Sequence, residues 1–290
     1  MSFGSEVKKE LMNIDLNNVS EQRALVMAIL HNSSELTAST ENSKFEWKLT
    51  VRSTILSVIK FVAKYLKKHY NCSDQFKTKE KNNLNKFRYY YLEISNVDDV
   101  IKDFHLLDYH LENVTTDYLG LDDLELQNVY LRGLFITHGS ISDPRVSTYH
   151  FEIATSHEPL AYLMKTIFEN NDINALLLER THKRADSTYL VYIKKSEDIS
   201  SALVALGATQ GMFNFEDQRI YRDFKNMANR VTNCDIANER KCIETAKKQL
   251  AAIKFIRDNN KFDEMSIRLQ SICILREMYP ESSNEEIDAL

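Results

Sequence analysis

The sequence predicts an α+β chain in which a duplicated α/β unit is followed by an all-α domain. Three observations carry that reading. The order of periodic segments over residues 21–108 (helix, strand, helix, hairpin, helix) recurs over residues 121–215. Only 6 Gly and 3 Pro interrupt 290 residues of which 43% are hydrophobic, so long elements and a sizeable core are expected. Beyond residue 226 alternation ceases and the apolar spacing is helical throughout. A single α+β domain with a coincidental order of elements is the alternative.

Residues 1–20 hold an N-terminal helix, since Phe3, Val7, Leu11 and Ile14 recur at spacings of four, four and three. In the first unit, residues 21–36 read as a helix, 44–51 as a strand and 53–70 as a long helix. Residues 72–95 form a hairpin with a lysine-rich turn, and 96–107 a closing helix. The second unit begins with an apolar helix from about residue 122. Tyr149, Phe151 and Ile153 then alternate in a strand over 147–154, and 158–170 is helical. A hairpin over 175–195 turns through the basic segment RTHKR, and a helix over 196–208 stops at Gly207.

The net charge of −5 gives no global basic footprint, so any nucleic-acid contact must come from a local patch. Cys72, Cys234, Cys242 and Cys273 show no CxxC pair, and His69 with Cys72 is too sparse a set for a metal. Neither a metal nor a cofactor is expected. No stretch approaches 18 apolar residues and the N-terminus lacks the apolar core of a signal peptide, so a cytoplasmic protein without a membrane contact is expected.

The segment LRGLFITHG, residues 131–139, poses the central question. A glycine inside an apolar helix costs about 1 kcal/mol relative to alanine, so Gly133 needs a packing reason. The nine residues align without a gap to the LAGLIDADG motif, with identities at Leu131, Gly133, Leu134 and Gly139, and the order of elements resembles that homing-endonuclease fold. The resemblance implies that the first helices of the two units pack closely, with Met27–Ser33 as the weaker counterpart. Gly133 and Gly139 are then the helix-packing positions. It also implies that an acid at the foot of each motif helix would hold divalent metal. Here those positions are His138 and Asn32, which lack the anionic oxygens that Mg2+ chemistry requires. Asp143, in an Asp-Pro turn, reads as a turn residue. No catalytic residue is expected.

Across nearly the whole chain the sequence also resembles the WhiA family of bacterial regulators. The matching stretches include Ser2-Phe3 with Ser5-Glu6-Val7-Lys8, Leu131–Phe135 with Gly139-Ser140-Ile141, Tyr149–Ile153, Val191–Lys194, and Asn229-Arg230 through Asn233–Asn238. That family joins a degenerate LAGLIDADG-type domain to a C-terminal helix-turn-helix domain. The resemblance therefore implies a non-enzymatic DNA-binding regulator, associated with the nucleoid and acting in transcription control, cell division and chromosome segregation.

From the residues alone, the C-terminal domain over 226–290 begins with a helix capped near Thr232-Asn233 and running to about Asn259. Its basic residues Arg230, Arg240, Lys241, Lys247, Lys248 and Lys254 are candidate DNA contacts, joined by Arg276, Ser282, Ser283 and Asn284 around the start of the third helix. A merely solvated face is the competing reading. Residues 264–280 form a second helix, and Ser283 with Glu286 has capping-box spacing. The family's recognition helix, expected next, is missing from this sequence, so the helix-turn-helix is read as truncated and specific DNA binding is in doubt. Residues 258–290 carry three basic residues against eight acids, which repels phosphate. Two other functions compete: a protein-interaction module that has lost specific DNA binding, and a metal-dependent endonuclease. The hairpin cations Lys77, Lys79, Lys81, Lys86, Arg88, Arg180, His182, Lys183 and Arg184 read as solubility devices in preference to DNA contacts.

Overall fold

Two copies of one backbone plan account for most of the chain. The computed structural model describes residues 2–16, 18–41, 44–70, 72–80, 88–108, 114–146, 148–182 and 185–289. After α1 (Phe3–Met12), the first copy runs α2 (Val19–Ser33), β1 (Ser34–Glu41), β2 (Lys44–Ser53), α3 (Leu56–His69), β3 (Ser73–Glu80), β4 (Arg88–Ser95) and α4 (Asp98–Asp103). The second runs α5 (Leu124–His138), β5 (Gly139–Ile141), β6 (Phe151–Thr155), α6 (Glu158–Asn170), β7 (Leu176–His182), β8 (Ala185–Ile193) and α7 (Ser196–Leu206). The two four-stranded antiparallel sheets share a strand order, β1-β2-β4-β3 and β5-β6-β8-β7.

Each copy has one strand more than its sequence pattern predicts. β1 begins at Ser34, where a helix to residue 36 is expected. Its residues SELTASTE include one large apolar side chain, Leu36, so no alternation betrays it. The helix stops because the Ser34 hydroxyl donates to the Leu30 carbonyl at 2.6 Å while the backbone turns extended. β1 and β5 both lie at sheet edges, where polar residues are tolerated.

On each sheet one face is apolar and covered by a helix. Leu49, Val51, Leu92 and Ile94 meet Val58, Ile59, Val62 and Leu66 of α3 in the first copy, all buried. Phe151, Ile153, Val191 and Ile193 meet α6 in the second.

α2 and α5 pack against each other and are buried on all sides, Ala24–His31 in one and Val129–Ile136 in the other. Such all-round apolarity marks a central helix rather than an amphipathic one. Gly133 is a point of close approach. A Cβ there would stand 2.6 Å from the Ala28 Cβ and 3.0 Å from the Leu25 carbonyl oxygen of α2. Gly139, expected to share that packing role, is constrained differently: a Cβ there would fall 2.2 Å from the Phe135 ring of its own helix, and its three nearest atoms include none of α2.

Several polar groups inside this interface are paired, although Arg132 Nη1 and Ser33 Oγ are buried without a hydrogen-bond partner. His31 Nε2 lies 2.6 Å from the Phe104 carbonyl and must donate to it, which leaves Nδ1 to accept from the Tyr130 hydroxyl at 2.7 Å. Burial holds the His31 pKa down to about 4, so the ring is neutral. Arg132, also buried, donates from Nε to the Leu206 carbonyl at 2.6 Å and so caps the end of α7.

α8 (Thr209–Asp258) is one continuous helix of 50 residues, not a helix begun near Thr232. No Gly or Pro follows Gly211 within it, and Thr232 is internal: its hydroxyl donates back to the Ala228 carbonyl at 3.0 Å instead of capping. The Glu10 carboxylate of α1 accepts from the Gln210 and Gly211 amides at 2.7 and 2.9 Å and satisfies the helix start. The chain divides into units 1–219 and 220–290, so the division lies within α8. In the second unit α8 packs with α9 (Ile267–Met278) and α10 (Asn284–Asp288) around Ala246, Ile253 and Ile287. Arg257 also grips the Glu277 carboxylate at 2.7 and 3.0 Å.

Gly133→Ala is expected to lower stability by about 1–3 kcal/mol in urea unfolding, against the gain of about 1 kcal/mol that the substitution gives in an uncrowded helix. His31 titrates at about 6.5 when unfolded and about 4 when folded, so protons favour the unfolded chain between these values. Unfolding curves recorded across that window should show its contribution falling by about 1.4 kcal/mol per pH unit as the solution is acidified. The slope should be shallower by that amount in His31→Gln.

Candidate nucleic-acid interface

The foot of the paired helices is the first place to look for chemistry. Asn32 is the penultimate residue of α2 and His138 the last of α5. The Asn32 amide donates to the Ala154 carbonyl at 3.1 Å and to the Thr137 hydroxyl at 3.4 Å, so it ties the two copies together. The His138 side chain keeps solvent contact at the end of α5. The surrounding protein and the nearby charges of Lys8 and Arg52 hold its pKa down to about 4. The charged groups around it are cations where a nuclease needs carboxylates. Among the described residues no group of three or more His, Cys, Asp or Glu side chains could hold a metal ion.

Asp143 does not substitute for the missing acids. Its carboxylate accepts from the Arg145 amide at 3.0 Å and from the Arg145 guanidinium at 2.6 to 3.2 Å, contacts that lower its pKa to about 2. His69 and Cys72 are likewise engaged locally, His69 with the Tyr65 ring at 4.5 Å and Cys72 with the Asn96 carbonyl at 3.4 Å.

The second place is α8. Arg230, Arg240, Lys241, Lys247, Lys248 and Lys254 are all exposed. Arg240, Lys247 and Lys254 are spaced by seven, as are Lys241 and Lys248, so they form two adjacent rows along one side. The buried Ala246 and Ile253 lie on the other side, which leaves the basic rows clear of the core. Lys241 lines a crevice of about 120 Å³ together with Ser282, Ser283 and Asn284.

The structure corrects the expectation for Arg276. It is 4% exposed, and its guanidinium donates to the Ser282 carbonyl and, at 2.6 Å, to Asn284 Oδ1. It positions the turn rather than offering a free cation. Ser283 caps α10, its hydroxyl accepting from the Glu286 amide at 3.2 Å while the Glu286 carboxylate accepts from the Ser283 amide at 2.7 Å.

Of the hairpin cations, Lys81, Lys86, Lys183 and Arg184 lie outside the described residues. Lys77, Lys79 and Arg88 are placed in β3 and β4, and Arg180 and His182 in β7.

Sequence reasoning missed the convergence of Lys8 and Arg52 on His138. They are distant in the chain; Lys8 is brought near by the docking of α1 against α5 and β5, and Arg52 comes from β2 of the first copy. It also missed the His31–Tyr130 bond, for which the one signal was a histidine inside an apolar motif helix.

Comparison with known proteins gives a consistent picture. Residues 127–225 match the family model described as the WhiA LAGLIDADG-like domain, and residues 228–290 match the WhiA C-terminal HTH domain. A protein of Ligilactobacillus salivarius named "Probable cell division protein WhiA" is 31% identical over 291 residues, covering 100% of this chain and 89% of its own length. Its namesake in Enterococcus faecalis is 32% identical, covering 99% of this chain and 89% of its own length. The crystal structure of full-length WhiA from Thermatoga maritima superposes with a TM-score of 0.62 at 20% identity, over 99% of this chain and 90% of that one. The repeated sheet order, the motif helices without their acids, the C-terminal helices and these matches agree that the chain belongs to the WhiA family.

Proposed function

We propose that this chain is a non-enzymatic DNA-binding regulator of the WhiA type. It would act at the nucleoid in transcription control, cell division and chromosome segregation, through a LAGLIDADG-type domain that no longer cuts DNA. The observation that carries the reading is the pair of exposed basic rows on α8, beside the crevice of Lys241, Ser282, Ser283 and Asn284, within the residues that match a helix-turn-helix domain. Rows of cations along a helix suit the phosphate backbone, and serine and asparagine side chains at a helix start are ordinary phosphate ligands. The name of the relatives supplies the link to cell division. His138 and Asn32 support the absence of nuclease activity, because neither offers an anionic oxygen to a hard metal.

A second reading, a protein-interaction module without specific DNA binding, is favoured by the acidic balance of residues 258–290, three basic residues against eight acids. Mobility shifts across a salt series separate the two. Under the DNA reading, log K falls with log salt, and the triple variant Lys241→Ala, Lys247→Ala, Lys248→Ala flattens the slope by about 0.9 for each phosphate contact removed. Absence of any shift at low salt favours the interaction module.

The nuclease question has its own assay. Incubation with supercoiled plasmid and Mg2+ or Mn2+ is expected to leave the DNA intact. Metal-dependent nicking that survives repurification and is lost in Asn32→Ala would overturn the non-enzymatic reading.

A further inference from the structure

Beside the foot of the paired helices lies a cavity of about 680 Å³, between α1, the β2–α3 connection and β5. Its lining includes Ser5, Lys8, Lys9, Asn13, Thr54 and Ser57, and neither aspartate nor glutamate is among the residues that form it. The acids of α1 are directed elsewhere. The Glu10 carboxylate holds the start of α8, and Glu6 lies within the field of Arg145. Lys8 is half-buried. Its ammonium stands 5.7 Å from the centre of the Phe135 ring and has no carboxylate partner among the described residues. Burial lowers its pKa to about 8, the mark of a charge that lacks both water and a counter-ion. The exposed side chain of Lys9 adds a second cation to the lining. α3 opens at the same cavity, and its N-cap Ile55 has no side chain to bond the first-turn amides.

We infer that this cavity binds the phosphate group of a small phosphorylated molecule, with Lys8 and Lys9 as its cations and the hydroxyls of Ser5, Thr54 and Ser57 as donors. The volume of about 680 Å³ falls within the range of small-molecule sites. Lysine acts on phosphate as a point charge, and hydroxyl donors complete the oxyanion shell. The inference stands independently of the DNA contacts of α8, because the cavity belongs wholly to residues 1–219.

Calorimetric titration of the full chain with pyrophosphate at low ionic strength tests it. One saturable site per chain is expected. Lys8→Met should weaken it at least tenfold, Lys9→Met at least threefold, and Lys8→Arg should leave it within threefold. Lys165→Met, on the exposed side of α6, should leave it unchanged. Circular dichroism melting checks that each variant is folded, and Lys9→Met carries the test if Lys8→Met is not. Absence of heat at millimolar pyrophosphate, or equal affinity in the lysine-to-methionine variants of the cavity and in Lys165→Met, overturns the inference. A 20-base-pair duplex is included as a competitor. Displacement of pyrophosphate by the duplex would assign the cations to nucleic acid and overturn the small-molecule site.

Discussion

Gly133 lets α2 and α5 approach until the Ala28 Cβ and the Leu25 carbonyl stand 2.6 and 3.0 Å from where a side chain would begin, and the remaining architecture is arranged around that contact. Two helices buried on every side have no solvent face, so each can be stable only inside a larger body. The sheets and outer helices of both copies supply it. Because neither motif helix is amphipathic, neither copy closes its own core, and duplication is a physical requirement of the packing rather than an ornament on it. The polar residues admitted to the interface obey the same constraint. His31 is neutral with both ring nitrogens bonded, and Arg132 is present because the end of α7 needs its donors.

The same contact explains what became of the helix feet. In a LAGLIDADG-type arrangement the closely packed helices end side by side, which concentrates whatever residues stand there. Carboxylates at that point would gather metal. Here Asn32 crosses to the other copy through neutral hydrogen bonds, and the charges that gather around His138 are those of Lys8 and Arg52. The scaffold continues to focus charge, with the opposite sign.

The exposed cations of the second unit lie on a different kind of surface. A long helix without Gly or Pro can present cations at seven-residue intervals on one side while its other side holds a small core, as α8 does. The burial of Arg276 shows the limit of reading charge from sequence. A guanidinium near a turn serves equally as a phosphate ligand or as the donor that closes the turn, and only its surroundings decide.

The sequence by itself determined the existence of most elements, the repetition of their order, the packing role of Gly133 and the loss of the metal-binding acids. Each of these rests on local periodicity or on residue identity at a motif position, which the chain carries without help from its fold. Only the tertiary structure decided where the polar edge strand β1 lies, since pairing with β2 supplies the order that its own residues do not signal. It alone also brought Lys8, Arg52 and His138 together, turned Arg276 inward and placed Lys241 beside Ser283. Such convergences depend on contacts between residues far apart in sequence, and no local pattern encodes them.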